Sequence, residues 1–203
     1  MNKKKIVIAL GGNALLRGDQ AGTIEEQEKN TYDTLKNIIP FIKEGHDVIL
    51  SHGNGPQVGN ILMRNDAGCE MYDIPQMPLD ICVADSQGGI GYMIERIFRN
   101  ILTEEGINKD VVTLVTQTLV KKDDPAFNNP TKRVGKIYPK VQADKLAKEK
   151  GWKFKESPKL EAQIMVKSGS VSVIIMTSYM DFSNQLENIK FALKDYKYEM
   201  QIL

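Results

Sequence analysis

Cysteine is scarce in this 203-residue chain, which has only Cys69 and Cys82. The two show no C-x-x-C spacing. A disulfide framework and a cysteine metal site are therefore excluded, and two reduced, partly buried thiols of a cytoplasmic protein are expected. Net charge is scarce as well, at +1. Nothing global then draws the chain to nucleic acid or to an anionic membrane surface. No apolar run reaches the length of a membrane span. The opening MNKKKIVIALGG joins a basic start to an apolar stretch too short for a signal peptide, with no small-residue cleavage site. Internal repeats and low-complexity tracts are missing too. What remains is the composition of an ordinary globular chain, long enough for one sizeable core and at most two small domains.

The chain alternates element types. Residues 5–10 run apolar without alternation and predict a strand buried on both faces. Thr23-Ile24-Glu25-Glu26 fits a capping box, and Leu35, Ile38, Ile39 and Ile42 recur at helical spacing, so a helix is expected over 23–44. Pro40 should kink or split it, and Gly45 should end it. Residues 47–51 predict a second buried strand. A helix over about 57–65 follows, with Pro56 suited to its first turn. Residues 78–104 read as a long helix interrupted by Gly88-Gly89 and Gly91. Further expectations are a strand at 111–120, a polar loop or hairpin at 121–138, a charged helix at 139–150 with a solvated lysine-rich face, a helix at 158–168 and a buried strand at 171–177. The tail from 183 reads as helical at first. Strands alternating with helices argue an α/β fold with a largely parallel sheet.

Two strands end in glycine turns: Gly11-Gly12-Asn13 after the first and Gly53-Asn54-Gly55-Pro56 after the second. Ligands of open α/β sheets bind at the carboxyl ends of the strands. Glycine lets backbone N–H groups approach an anion, and a following helix adds its dipole. Two such turns at one edge would seat a phosphoryl-sized anion. Each alone would be an ordinary tight turn. The pattern is neither G-x-G-x-x-G nor G-x-x-x-x-G-K-[ST], which disfavours a dinucleotide fold and a P-loop ATPase.

Four stretches go further: IVIALGGNALL, GHDVILSHGNGPQVGN, MPLDICVADSQGGIGY and DPAFNNPTKRVGKIY. Running in order through about residues 4–155, they resemble the carbamate kinases of the amino-acid kinase family. That resemblance implies a three-layer α/β/α sandwich with a mainly parallel sheet, a homodimer, and no nucleic-acid or membrane partner. It implies a reaction moving phosphate between ATP and carbamate, usually from carbamoyl phosphate to ADP, at the end of arginine or purine-derivative fermentation. Mg²⁺ would arrive with ATP or ADP, and no protein metal ligands are identified; Asp80 and Asp85 do not share a helix face well.

The resemblance is to a shortened member. After Glu156 the chain passes at once to Ser157-Pro158-Lys159-Leu160-Glu161-Ala162, which is similar to a late motif of the family. SVIIMTSYMD at 172–181 is similar to the strand after it. A glycine-rich strand turn, a DKD motif and an LTDV-like strand that the family carries between have no counterpart, and with them goes most of the nucleotide pocket. The expected organisation is therefore an N-terminal α/β substrate-binding part at 1–118, a remnant of the protruding subdomain at 119–156, and a remnant of the nucleotide-binding part at 157–203.

By resemblance, Gly11, Gly12 and Asn13 would present donors to the transferred phosphoryl group, and Gly53, Asn54 and Gly55 would hold the carbamate end. Lys132 would reach the site from the protruding subdomain, with Arg133 standing where the family usually has proline. Lys159 would neutralise nucleotide phosphates. His52 reads as a loop-shaping residue and not as a base, because carbamate is already anionic. The Met93, Ile94, Ile97, Ile101 stripe reads as core, and Trp152 as an anchor of the subdomain. The alternative function is a non-catalytic anion-binding or dimerisation module derived from a carbamate kinase.

Overall fold

The computed structural model describes residues 3–117, 132–156, 161–166 and 172–177, with positions 123, 125, 128 and 129 between them. In chain order the elements are β1 (Lys5–Leu10), α1 (Gly12–Leu15), α2 (Ile24–Lys36), α3 (Ile39–Lys43), β2 (Asp47–His52), α4 (Gly55–Tyr72), α5 (Leu79–Glu104), β3 (Asp110–Leu114), β4 (Lys132–Pro139), α6 (Lys140–Lys150), β5 (Phe154–Glu156), β6 (Glu161–Val166) and β7 (Ser172–Thr177).

Local chemistry explains the first crossover. Thr23 Oγ1 accepts the Glu26 N–H at 3.3 Å, and Glu26 Oε2 accepts the Thr23 N–H at 3.0 Å, so the expected capping box starts α2. Pro40 lies in the first turn of α3, and the single helix expected over 23–44 is split there. Leu35, Ile38, Ile39 and Ile42 are all buried, and Gly45 ends the segment at φ +88°, a conformation that favours glycine.

The main sheet has the order β1-β2-β7-β3. β1 and β2 pair in parallel, while β7 runs antiparallel to both β2 and β3. Three of the four strands thus point the same way, and β7 is the reversed one. Ile8, Leu10, Val48, Leu50 and Val111 pack with the apolar stripes of α2, α3 and α5 in one core. That core includes Met93, Ile94, Ile97 and Ile101 as expected. A smaller sheet, β4-β6-β5, shares a second cluster with α4, the start of α5 and α6. Tyr138 lies at its centre and Trp152 at its margin.

Several expectations are corrected. β1 is not buried on both faces: its exposure alternates, and Val7 is 40% exposed. It is the edge strand of its sheet, and the packed helices cover one face only. α4 runs on to Tyr72, where Asp73 caps it at φ 52° and its N–H donates to the Gly68 carbonyl. α5 passes through Gly88, Gly89 and Gly91 without a break, because the buried stripe along its length outweighs roughly 1 kcal/mol per glycine. β3 ends at Leu114. The segment expected as loop or hairpin contains β4. Residues 161–166, expected in a helix, form β6, paired on one side with β4 and on the other with β5. Two flanking strands satisfy its backbone more fully than an isolated helical turn could, and pairing overrides propensity. α6 exposes Lys145, Lys148 and Glu149, the solvated face that was expected. The tail from residue 178 lies outside the described residues.

Gly91 is where α5 meets β3 most closely. A Cβ there would stand 2.2 Å from Thr113 Cγ2, while Thr113 Oγ1 donates to the Gly91 carbonyl at 3.2 Å. Gly91→Ala should therefore lower stability in urea by about 1–3 kcal/mol. Thr113→Ser, which removes the colliding methyl and keeps the hydroxyl, should recover part of that loss in the double variant.

Candidate active site

The parallel register of β1 and β2 runs from Lys5↔Asp47 to Leu10↔His52. Both strands therefore end level, and the two glycine turns leave the sheet side by side at its carboxyl edge. The Gly53 N–H closes the ladder by donating to the Leu10 carbonyl at 3.3 Å, so this amide is spent within the chain. Gly55 is the first residue of α4, whose first helical bond runs from the Val58 N–H to the Asn54 carbonyl at 2.9 Å. The Gly55 and Gln57 amides consequently have no acceptor within the helix.

None of Gly11, Gly53 and Gly55 adopts a left-handed φ, and a Cβ at any of them would meet nothing within 4 Å. Backbone strain is not the reason for glycine at these positions. They differ in this from Gly91, whose neighbour excludes a side chain. What lies beside the backbone at these glycines is open space.

The first turn continues as α1, begun by the Ala14 N–H donating to the Gly11 carbonyl at 3.0 Å. The backbones of Gly12 and Asn13 lie in α1, and the Asn13 side chain is outside the described residues. α2 holds this short helix with polar groups. Asn30 Nδ2 donates to the Leu15 carbonyl at 3.3 Å, and Thr34 Oγ1 donates to the Ala14 carbonyl at 3.4 Å. Gln27 joins the same row, accepting from Gln57 Nε2 of α4 at 3.0 Å. Sequence reading missed this row. Its signal is present, for Gln27, Asn30, Thr31 and Thr34 recur at helical spacing beside the apolar stripe.

The second turn is held from α5. Asn54 is buried, and its Nδ2 donates to Ser86 Oγ at 2.8 Å. The neighbouring Gln87 grips the chain beyond β3 at two points: its Oε1 accepts the Thr116 N–H at 2.8 Å, and its Nε2 donates to the Thr116 carbonyl at 3.2 Å. Ser86 and Gln87 thus join the ends of β2 and β3.

His52 is 2% exposed. Its Nδ1 stands 3.1 Å from the Gly53 carbonyl, which can only accept, so the ring proton sits on Nδ1. Nε2 is then a bare acceptor, and it is buried with no partner. Burial pushes the pKa of the ring below its usual value, against a smaller opposing effect of the Gly53 carbonyl. The ring is neutral and shapes the turn, as expected.

Lys132 opens β4, on the sheet that adjoins α4, and only its backbone is described. Lys159 lies outside the described residues. Among the described residues no group of three or more carboxylate, imidazole or thiol side chains is placed to hold a metal ion.

Comparison with known proteins places this edge in context. Carbamate kinase from Pyrococcus horikoshii is 54% identical over 153 residues, which is 75% of this chain and 49% of that protein. The Pyrococcus furiosus carbamate kinase is 51% identical over the same length. Carbamate kinase from Giardia lamblia bound to AMP-PNP superposes with a TM-score of 0.74 at 39% identity, over 83% of this chain and 54% of that one. A crystal structure from Aeropyrum pernix K1 gives 0.73 at 32% identity. The chain spans about half the length of the relatives it matches. No family model matches it.

The orphaned Nε2 sets a pH dependence. With the folded pKa below the unfolded one, the unfolded chain binds more protons as pH falls below about 6.5. Stability should be full above that pH. Below it, the His52 contribution should decline by at most about 1.4 kcal/mol per pH unit, the limit for one proton. Urea titrations between pH 7 and 5 should show a shallower decline in His52→Gln than in the parent chain; parallel declines would exclude His52 as the source.

Proposed function

We infer that this chain, a relative of the carbamate kinases over three quarters of its length, is a phosphotransferase of that type, acting between carbamoyl phosphate and ADP. One observation carries the inference. The two glycine turns of the related segment leave one sheet edge side by side, each with open space where a side chain would stand.

In this reading Gly11, Gly12 and Asn13 border the transferred phosphoryl group. The start of α4, with Gly55 and its free first-turn amides, faces the carbamoyl end, and Gly53 and Asn54 shape that pocket. The bond from phosphorus to the carbamoyl oxygen breaks. The terminal phosphate oxygen of ADP bonds to phosphorus, and carbamate leaves as an anion. No proton has to move, so the neutral, buried His52 is not needed as a base. Catalysis of this kind rests on positioning and on charge stabilisation. Lys132 supplies mobile positive charge as a compact ammonium. Lys159 serves the nucleotide phosphates, and Mg²⁺ accompanies the nucleotide.

A cytoplasmic location and a homodimer belong to the same proposal. Among the described residues no helix is long and apolar enough to cross a membrane. The division into a substrate-binding part, a protruding remnant and a nucleotide-binding remnant is likewise proposed, with the smaller sheet as the protruding part.

The purified chain, given ADP, Mg²⁺ and carbamoyl phosphate, should form ATP. Lys132→Ala should reduce the rate about 100-fold or more, the usual scale for removing a charge-stabilising group. ATP no higher than in a protein-free blank would remove the catalytic reading. If calorimetry of the same chain then registered carbamoyl phosphate but not ATP, it would identify a non-catalytic anion-binding module.

A further inference from the structure

Asp66 lies three turns into α4 and is nine-tenths buried. Its Oδ2 accepts the Tyr138 hydroxyl at 3.0 Å, and its Oδ1 accepts from Gln76 Nε2. Tyr138 is 1% exposed and stacks edge-on against Phe154 of β5, with ring centroids 5.7 Å apart. The carboxylate therefore ties three parts of the chain: α4, the segment between α4 and α5, and β4. A buried carboxylate is costly unless hydrogen-bonded, so this tie is specific in direction, unlike the apolar contacts of Val58, Leu62, Ala143 and Leu146 around it.

The geometry places this tie on both elements that the proposed site uses. α4 begins at the second glycine turn, and Asp66 stands eleven residues beyond Gly55, about 17 Å along the helix. β4 begins at Lys132, and Tyr138 stands six residues beyond it, at most about 20 Å along a strand. Between them the β4–β6 register shifts. Val134 faces Ile164 and Ile137 faces Gln163, so Gly135 and Lys136 are extra residues on β4. Such a bulge bends a strand and re-aims what lies beyond it. The portion carrying Tyr138 is fixed to α4, while the portion carrying Lys132 lies past the bend.

We propose that the Asp66–Tyr138 hydrogen bond is a positioning latch that sets the pose of Lys132 relative to the N-terminus of α4. This rests on the reading of Lys132 given above. Tyr138 does not touch the ligand. It acts by fixing one end of β4 to the helix whose other end borders the carbamoyl pocket, with α4 as the ruler between them.

A double-mutant cycle on the full chain separates the latch from the reading it rests on. Carbamoyl phosphate binding, measured by calorimetry without nucleotide, needs no turnover. Lys132→Ala should weaken it. Tyr138→Phe, which keeps the ring and removes the hydroxyl, should weaken it about 3- to 30-fold in the parent chain and leave it unchanged in the Lys132→Ala background, the non-additivity of coupled sites. Equal losses in both backgrounds would mean a general packing effect and overturn the latch. Full binding by Tyr138→Phe alongside weakened binding by Lys132→Ala would overturn it as well. Unchanged binding by Lys132→Ala would remove the role of the lysine and the latch with it. Should Tyr138→Phe lack a cooperative melt, Gln76→Leu, which frees the carboxylate on its other side, takes its place in the cycle with the same expected pattern.

Discussion

The constraint on which the rest depends is the parallel pairing of β1 with β2. An antiparallel pair would place the exits of its two strands at opposite edges of the sheet. A parallel pair places them at the same edge, and here the register brings Leu10 and His52 level. The pairing also imposes a crossover, since parallel strands cannot be joined by a tight turn. That crossover, α1 through α3, is not idle connection. It carries α2 back over the sheet, where Asn30 and Thr34 cap the carbonyls of the first turn and Gln27 reaches Gln57 of α4. One topological requirement thus both assembles the two turns and supplies the helix that holds them.

The second requirement is close approach between α5 and the sheet. Gly91 brings the helix against Thr113 of β3. Once there, Ser86 lies within reach of Asn54, and Gln87 within reach of Thr116. Glycine and, more mildly, serine are poorer helix formers than alanine, but here Gly91 and Ser86, with Gln87, determine how the ends of β2 and β3 are tied together. The apolar stripe from Ile90 to Leu102 bears the packing, which leaves the preceding turn free to carry hydrogen bonds.

Much of this was legible from local signals. The capping box at Thr23, the division of the helix by Pro40 and the buried β2 each depend on neighbours in sequence, and each is present as read. The two turns were legible because glycine next to a buried strand has few uses. What escaped depends on distant partners. β6 reads helical by itself and becomes a strand because β4 and β5 flank it. The apolar run of β1 announces a strand but cannot say that it lies at an edge with one face uncovered. The glycines of α5 suggest a break, and only the packed face shows why there is none. Gln27, Asn30 and Thr34 look like a solvated face until α1 is placed against them. At the site, glycine was expected to let the backbone approach an anion. The dihedral angles at Gly11, Gly53 and Gly55 are ordinary and the space beside them is open, which is compatible with that reading.

Among the described residues, the side chains that hold the turns are Asn30, Thr34, Asn54 and Ser86, with the pKa of His52 lowered by burial. These are neutral groups with fixed hydrogen bonds. They make a rigid frame but cannot balance a ligand with two negative charges. The first-turn amides of α4 contribute part of the balance through the helix dipole. A full positive charge must come from a side chain, and a buried fixed lysine would lose its proton or destabilise the fold. In the proposed function, bringing the charge on a separate element would avoid that cost, since the lysine would be desolvated only when the anion is present. The separate element must then be located relative to α4. β4 is tied to α4 through Tyr138 and bulged between that point and Lys132, which is the geometry the proposal requires.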